Sequence, residues 1–146
     1  MERGSMAKST DLPGFTQKRK TLFSPKTSAE SLRVLGKEFM EAERYDDALE
    51  FFQRAGAEDM ARHVAEKAMQ AGDTALYMRA KKVLGDTVSD EEWTRIARAA
   101  EQARRYSAAY LAHSQAGHEE EAARLQQLVP GLSTPEQEDD EPVGTD

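Results

Sequence analysis

Apolar side chains recur through the middle of the chain with the spacing of one face of an α-helix. The first set consists of Leu32, Leu35, Gly36 and Phe39. These positions follow the i, i+3, i+4, i+7 period of an amphipathic helix. The same period returns in later segments, which are separated by short polar or glycine-containing turns. The pattern predicts seven helices between residues 28 and 129.

Two of the predicted helix starts carry a capping box, in which a hydroxyl and a carboxylate three residues later satisfy each other's backbone N–H groups. The first box is Thr27 with Glu30, and the second is Ser89 with Glu92. Glycine follows several predicted helix ends, where a left-handed residue commonly stops a helix. Connections of two to five residues make consecutive helices antiparallel neighbours. We therefore expect an all-α fold.

The apolar pattern of residues 32–56 returns 61 positions later, in residues 93–117. Small residues recur at the same places, because Gly36 corresponds to Ala97 and Ala48 corresponds to Ala109. Small side chains allow two helix axes to approach closely. The sequence therefore predicts two similar helical hairpins. A shorter hairpin, residues 58–85, lies between them.

Residues 32–56 resemble one tetratricopeptide repeat. This family places a large apolar residue, a Leu-Gly pair and an aromatic residue on its first helix, matched here by Leu32, Leu35-Gly36 and Phe39. Its second helix alternates aromatic residues with alanine, matched by Tyr45, Ala48, Phe52 and Ala55. The resemblance implies a right-handed α-solenoid of about three antiparallel helix hairpins plus a terminal capping helix. An ordinary helix bundle is the alternative.

Charge and composition divide the chain into three regions. Residues 1–27 are basic and show no sustained period, so we expect a flexible arm, of which residues 1–5 look like an expression remnant before a start at Met6. Residues 28–129 form the predicted repeat domain. Residues 130–146 carry six acidic side chains and no basic one, and we expect a disordered acidic tail.

Composition also excludes several classes of chemistry. The chain has no cysteine, which excludes disulfides, thiolate metal sites and cysteine nucleophiles. No apolar run is long enough for a membrane span, and no signal-peptide pattern is present, so the expected location is cytoplasmic. His113 and His118 flank Gly117 without metal-ligand spacing, and His113 takes an aromatic packing position. We expect no enzyme activity, no cofactor and no metal site.

The family resemblance implies that a partner segment binds on a concave face lined by the first helix of each hairpin. The implied groove residues are Arg33, Lys37, Met40, Thr94, Arg98 and Gln102. Arg33 and Lys37 are four residues apart and share one helix face, which suits an acidic or carboxylate-bearing segment. The predicted function is a non-catalytic protein–protein interaction module, an adaptor or scaffold.

Two other functions remain open at this stage. The protein could be a structural or regulatory subunit that assembles through the ends of its solenoid. The basic run Lys18-Arg19-Lys20 could contact nucleic acid, although the net charge of −7 makes us expect no such binding. The more ordinary interpretation of this segment is an arm whose Phe15 and Phe23 dock onto the repeat domain.

Overall fold

A computed structural model of the protein describes residue 12 and residues 14–24 and 27–132, without the side chains of Phe15 and Phe23. These ranges contain eight α-helices and no strand, as the all-α prediction requires. The helices are α1 (Phe15–Phe23), α2 (Ala29–Glu41), α3 (Tyr45–Ala55), α4 (Glu58–Ala71), α5 (Thr74–Leu84), α6 (Asp90–Gln102), α7 (Tyr106–Ala116) and α8 (Glu119–Leu128). None of these helices has the length and apolar character that crossing a bilayer requires.

The described residues fall into two compact units. Unit 1 contains the described residues up to 65 together with Arg79–Asp86. Unit 2 contains Glu66–Met78 together with the described residues from 87 onward. The hairpin of α2 and α3 lies in unit 1, and the hairpin of α6 and α7 lies in unit 2. Each unit therefore has one of the two hairpins that share a sequence pattern.

The two hairpins have matching helix ends at the spacing seen in the sequence. Helices α2 and α6 each have 13 residues, and α3 and α7 each have 11. A glycine in the left-handed conformation ends the second helix in both hairpins, at Gly56 and at Gly117. The helix that follows each hairpin begins at Glu58 in unit 1 and at Glu119 in unit 2. All of these equivalent positions are 61 residues apart.

Serine side chains cap the first helix of both hairpins. Ser89 accepts a hydrogen bond from the N–H of Glu92, and the Glu92 carboxylate accepts one from the N–H of Ser89, so the second predicted capping box is confirmed. The first was placed one residue too early. The cap is Ser28, which accepts from the N–H of Ser31, and not Thr27.

The turn inside each hairpin uses a non-glycine residue in the left-handed conformation. Glu43 has φ of 62° and Arg104 has φ of 60°. This conformation costs roughly 1–2 kcal/mol for a residue with a side chain. It allows the N–H of Arg44 to donate a hydrogen bond to the carbonyl of Phe39 at 2.9 Å. The equivalent bond in unit 2 runs from the N–H of Arg105 to the carbonyl of Ala100 and is 2.7 Å long. These bonds satisfy carbonyl groups that the end of a helix would leave unpaired.

Aromatic packing against a glycine forms the core of unit 1. The rings of Phe39 and Phe51 stack with their centroids 5.1 Å apart, and both side chains are buried. A Cβ atom at Gly36 would lie 2.5 Å from a ring carbon of Phe52. Real Cβ contacts are not this short, so the Phe52 ring occupies the space that glycine leaves. The prediction that helices meet at a small residue is confirmed here.

The core of unit 2 uses smaller side chains. Ala100, Ala109, Tyr110 and Leu125 form its buried cluster. Gly72 lies so close to α6 that a Cβ atom on it would be 2.6 Å from the backbone nitrogen of Ala100. This close approach requires glycine, since the backbone atoms of α6 cannot move away by a rotamer change as a side chain can.

Within the segment predicted to be a flexible arm, residues 15–23 form α1. Leu22 is buried, and its carbonyl accepts a hydrogen bond from the guanidinium of Arg54. The ammonium of Lys18 lies 2.7 Å from Asp47 and 2.5 Å from Glu50. These ion pairs neutralise Lys18, which is one of the three adjacent basic residues considered for nucleic-acid binding. The predicted docking of Phe15 and Phe23 and the acidic tail from residue 133 lie outside the described residues.

Candidate functional site

A pocket of about 590 Å³ lies in unit 2. Three of the predicted groove residues, Thr94, Arg98 and Gln102, line it. They are spaced four residues apart on α6 and so form a single stripe along that helix. The other lining residues are Glu101, His113, His118 and Glu121. The pocket therefore joins a predicted binding face to a cluster of titratable side chains.

The other three predicted residues, Arg33, Lys37 and Met40, belong to α2 in unit 1. Arg33 already has a partner, because its guanidinium donates two hydrogen bonds to the Asp59 carboxylate, at 2.9 and 2.8 Å. This pairing neutralises a charge that the sequence analysis had assigned to an acidic partner. Lys37 is exposed and Met40 is partly buried.

The Arg33–Asp59 pair has a measurable pH signature. The hydrogen bonds from Arg33 lower the pKa of Asp59 to about 2, whereas an unfolded aspartate titrates near 3.9. A group whose pKa is lower in the folded state contributes stability above its unfolded pKa and loses that contribution as the pH falls through the folded value. The stability difference between the wild type and Asp59→Asn should therefore be constant above about pH 5 and shrink between about pH 5 and pH 2.

Urea unfolding at a series of pH values measures this difference. Glu58→Gln is the matched control, because it removes the neighbouring carboxylate on the same exposed turn of α4. An acid dependence that is the same in both variants would show that Arg33 does not hold Asp59 in solution.

Two carboxylates of the pocket share one arginine. A guanidinium nitrogen of Arg124 on α8 lies 2.8 Å from Glu101 and 2.9 Å from Glu121. Glu101 comes from the last turn of α6 and Glu121 from the first turn of α8. The arginine therefore links the two helices and offsets part of the negative charge at this end of the pocket.

A chain of imidazole and carboxylate groups begins at Glu101. The Nε2 atom of His113 lies 3.5 Å from Glu101, and its Nδ1 atom lies 3.2 Å from Nδ1 of His118. The Nε2 atom of His118 lies 3.0 Å from a carboxylate oxygen of Asp90. The order Glu101–His113–His118–Asp90 therefore forms a continuous polar chain through unit 2.

His113 and His118 share no helical face, as the sequence predicted, yet their rings meet across the turn between α7 and α8. The left-handed turn at Gly117 has φ of 80° and brings the chain back, so that the N–H of His118 bonds to the carbonyl of His113 at 2.9 Å. Helical spacing does not apply across such a turn, and sequence distance alone could not place the two rings together. His113 is buried, as expected for an aromatic position, while His63 is exposed.

A comparison of the two hairpins could have revealed this cluster from the sequence. The residues 61 positions before Glu101, His113, His118 and Glu121 are Met40, Phe52, Ala57 and Met60. Four positions that have apolar side chains in unit 1 thus have ionisable side chains in unit 2. The hairpin and the start of the following helix form with either set, so this architecture does not require the polar set.

No family model matches the chain, and no curated protein or solved structure is significantly similar to it.

Proposed function

We propose that the protein is a non-catalytic protein–protein interaction module of the tetratricopeptide-like class, which binds a carboxylate-bearing partner segment in the pocket of unit 2. The observation that carries this proposal is that Thr94, Arg98 and Gln102, selected from the sequence as partner-binding residues, line one pocket. The right-handed solenoid implied by the resemblance is part of the same proposal.

The chemistry of the α6 stripe supports a carboxylate as the bound group. Arg98 is exposed, and among residues 14–24 and 27–132 no ion pair is found for it. Its planar guanidinium can bind a carboxylate through two parallel hydrogen bonds. Gln102 supplies both a donor and an acceptor four residues further along the stripe. Arg124 offsets part of the charge of the neighbouring glutamates, which reduces their repulsion of an anionic partner.

The pocket also lacks an activated nucleophile among its lining residues. Thr94 is its hydroxyl-bearing residue, and this hydroxyl donates to the backbone carbonyl of Asp90 at 3.1 Å. A catalytic hydroxyl instead needs a base within hydrogen-bond distance. This arrangement favours binding over acyl or group transfer.

The proposal predicts that the protein binds carboxylate-bearing peptides and that this binding requires Arg98. We expect a random-peptide library selected on the full chain to yield sequences with Asp, Glu or a free carboxyl terminus. Arg98→Ala should weaken the binding of such a peptide by about tenfold or more, since a charge-assisted hydrogen bond contributes roughly 1.5–3 kcal/mol. Fluorescence anisotropy with the labelled peptide measures the change.

Arg95→Ala is the matched control, because Arg95 is an exposed arginine on the same helix outside the pocket lining. It should bind the peptide like the wild type. Failure to enrich any peptide, or equal binding by the Arg98 and Arg95 variants, would refute the proposed site.

A further inference from the structure

The geometry points to a metal-binding role for the same pocket of unit 2, and this role does not depend on the proposed partner. We propose that Glu101, His113 and Glu121 bind a divalent transition-metal ion of the zinc type. One nitrogen of His113 and one carboxylate oxygen from each glutamate lie within 4.8 Å of one another. The three residues come from α6, α7 and α8. Imidazole nitrogen and carboxylate oxygen are both ordinary zinc ligands.

The distances require only a small adjustment. Zinc binds such ligands at about 2.0–2.2 Å, which places neighbouring ligand atoms of a tetrahedron roughly 3.3 Å apart. The Nε2 atom of His113 is already 3.5 Å from a carboxylate oxygen of Glu101. Glu121 is half exposed, so its side chain can shift inward without disturbing the core.

The polar chain behind His113 supplies the outer contacts that a zinc-bound histidine normally has. A ligating imidazole donates its second N–H to a neighbouring acceptor, and this bond fixes which nitrogen faces the metal. Here Nδ1 of His113 can donate to Nδ1 of His118, while Nε2 of His118 donates to Asp90. With this pair of tautomers, the lone pair of Nε2 of His113 faces Glu101, and two electron-rich atoms at 3.5 Å favour a cation between them.

Arg124 occupies part of this cationic position in the present arrangement, where it contacts both glutamates. Its side chain is 47% exposed and can move into solvent. A metal ion would replace it as the countercharge of the two carboxylates. Metal and arginine should therefore compete, and removal of the arginine should strengthen metal binding.

Unit 1 shows that the cluster is not a structural necessity. Its equivalent positions carry Met40, Phe52 and Met60, and its hairpin has the same helix lengths. In unit 2, His113 is buried and Glu101 is partly buried, so these polar groups have a desolvation cost. A bound ion would offset part of this cost.

The ligand set also selects the metal. Magnesium requires six oxygen ligands in a near-ideal octahedron, and calcium takes six to eight oxygens. One nitrogen and two carboxylates with a remaining open position are typical of zinc and its neighbours. The open position faces the pocket, because all three ligands line it. Water or a partner side chain would take the fourth place.

Calorimetric titration of zinc into the full chain at neutral pH tests the proposal. We expect one ion bound per chain, with Glu121→Gln weakening the affinity by about tenfold or more. Glu120→Gln is the matched control, since it removes an adjacent exposed carboxylate from the same helix turn. Millimolar magnesium should not displace the zinc. The ring ¹⁵N signals of His113 should shift on binding, and those of His63 should not.

Arg124→Gln should bind zinc several-fold more tightly than the wild type. Equal affinities of the Glu121 and Glu120 variants would overturn the proposal and indicate an adventitious ion only. The absence of saturable binding, or weaker binding by the Arg124 variant, would also overturn it.

Discussion

Gly72→Ala is expected to lower the free energy of unfolding by about 3 kcal/mol or more. Gly72 has φ of +70°, a conformation that costs a residue with a side chain roughly 1–2 kcal/mol. The added Cβ would also lie 2.6 Å from the Cα and nitrogen of Ala100 and 2.9 Å from the carbonyl carbon of Ala99. These are backbone atoms of α6, so relief requires movement of the helix, and overpacking of this kind costs about 1–3 kcal/mol.

Gly117→Ala separates the cost of the left-handed backbone conformation from the cost of overpacking. Gly117 has φ of +80°, but nothing lies within 4 Å of a Cβ placed on it. This variant should lose only about 1–2 kcal/mol. Urea unfolding of both variants measures the difference. Equal losses would show that α6 does not approach Gly72 as closely as described here.

The second large effect concerns Gly36 and its pairing with Phe52. Gly36→Ala should cost about 2 kcal/mol, because the new Cβ would lie 2.5 Å from a ring carbon of a buried phenylalanine. The equivalent pair in unit 2 is Ala97 and His113, in which the smaller imidazole accompanies the larger alanine. The two pairs therefore exchange volume between equivalent positions.

A double-mutant cycle in unit 1 tests this exchange. Phe52→His alone should destabilise unit 1 through lost packing. Combined with Gly36→Ala, it should cost less than the sum of the two single changes, by about 1 kcal/mol or more, as residues in direct contact commonly show. Ala55→Gly on the same helix is the control for Phe52→His, and its combination with Gly36→Ala should be closer to additive. Additivity in the Phe52 cycle would contradict the assigned contact.

The sequence predicted the helices of the two hairpins because local signals and packing agree there. All seven helices predicted between residues 28 and 129 are present. Helix α1 escaped prediction for the opposite reason. Its sequence has little amphipathic period, and it is positioned by contacts distant in sequence, namely burial of Leu22 and the ion pairs of Lys18. Such contacts cannot be read from a local pattern.

The same distinction applies to the site. The α6 stripe was predictable, because residues spaced four apart on a helix share one face. The histidine cluster was missed because it is assembled across a left-handed turn and from three helices. Arg33 was misjudged because Asp59, its partner, lies 26 residues away in sequence. A residue-by-residue comparison of residues 40–60 with residues 101–121 would have exposed the four ionisable positions without a structure.

The most direct test of partner binding by unit 2 is a two-dimensional ¹H–¹⁵N NMR titration of the full chain with a peptide selected for binding. We expect the largest shift changes at the amides of Thr94, Arg98 and Gln102 and in the first turn of α8. Arg98→Ala should abolish them at the same peptide concentration. Changes confined to α1 or α2, or changes in α6 that persist in Arg98→Ala, would contradict this expectation.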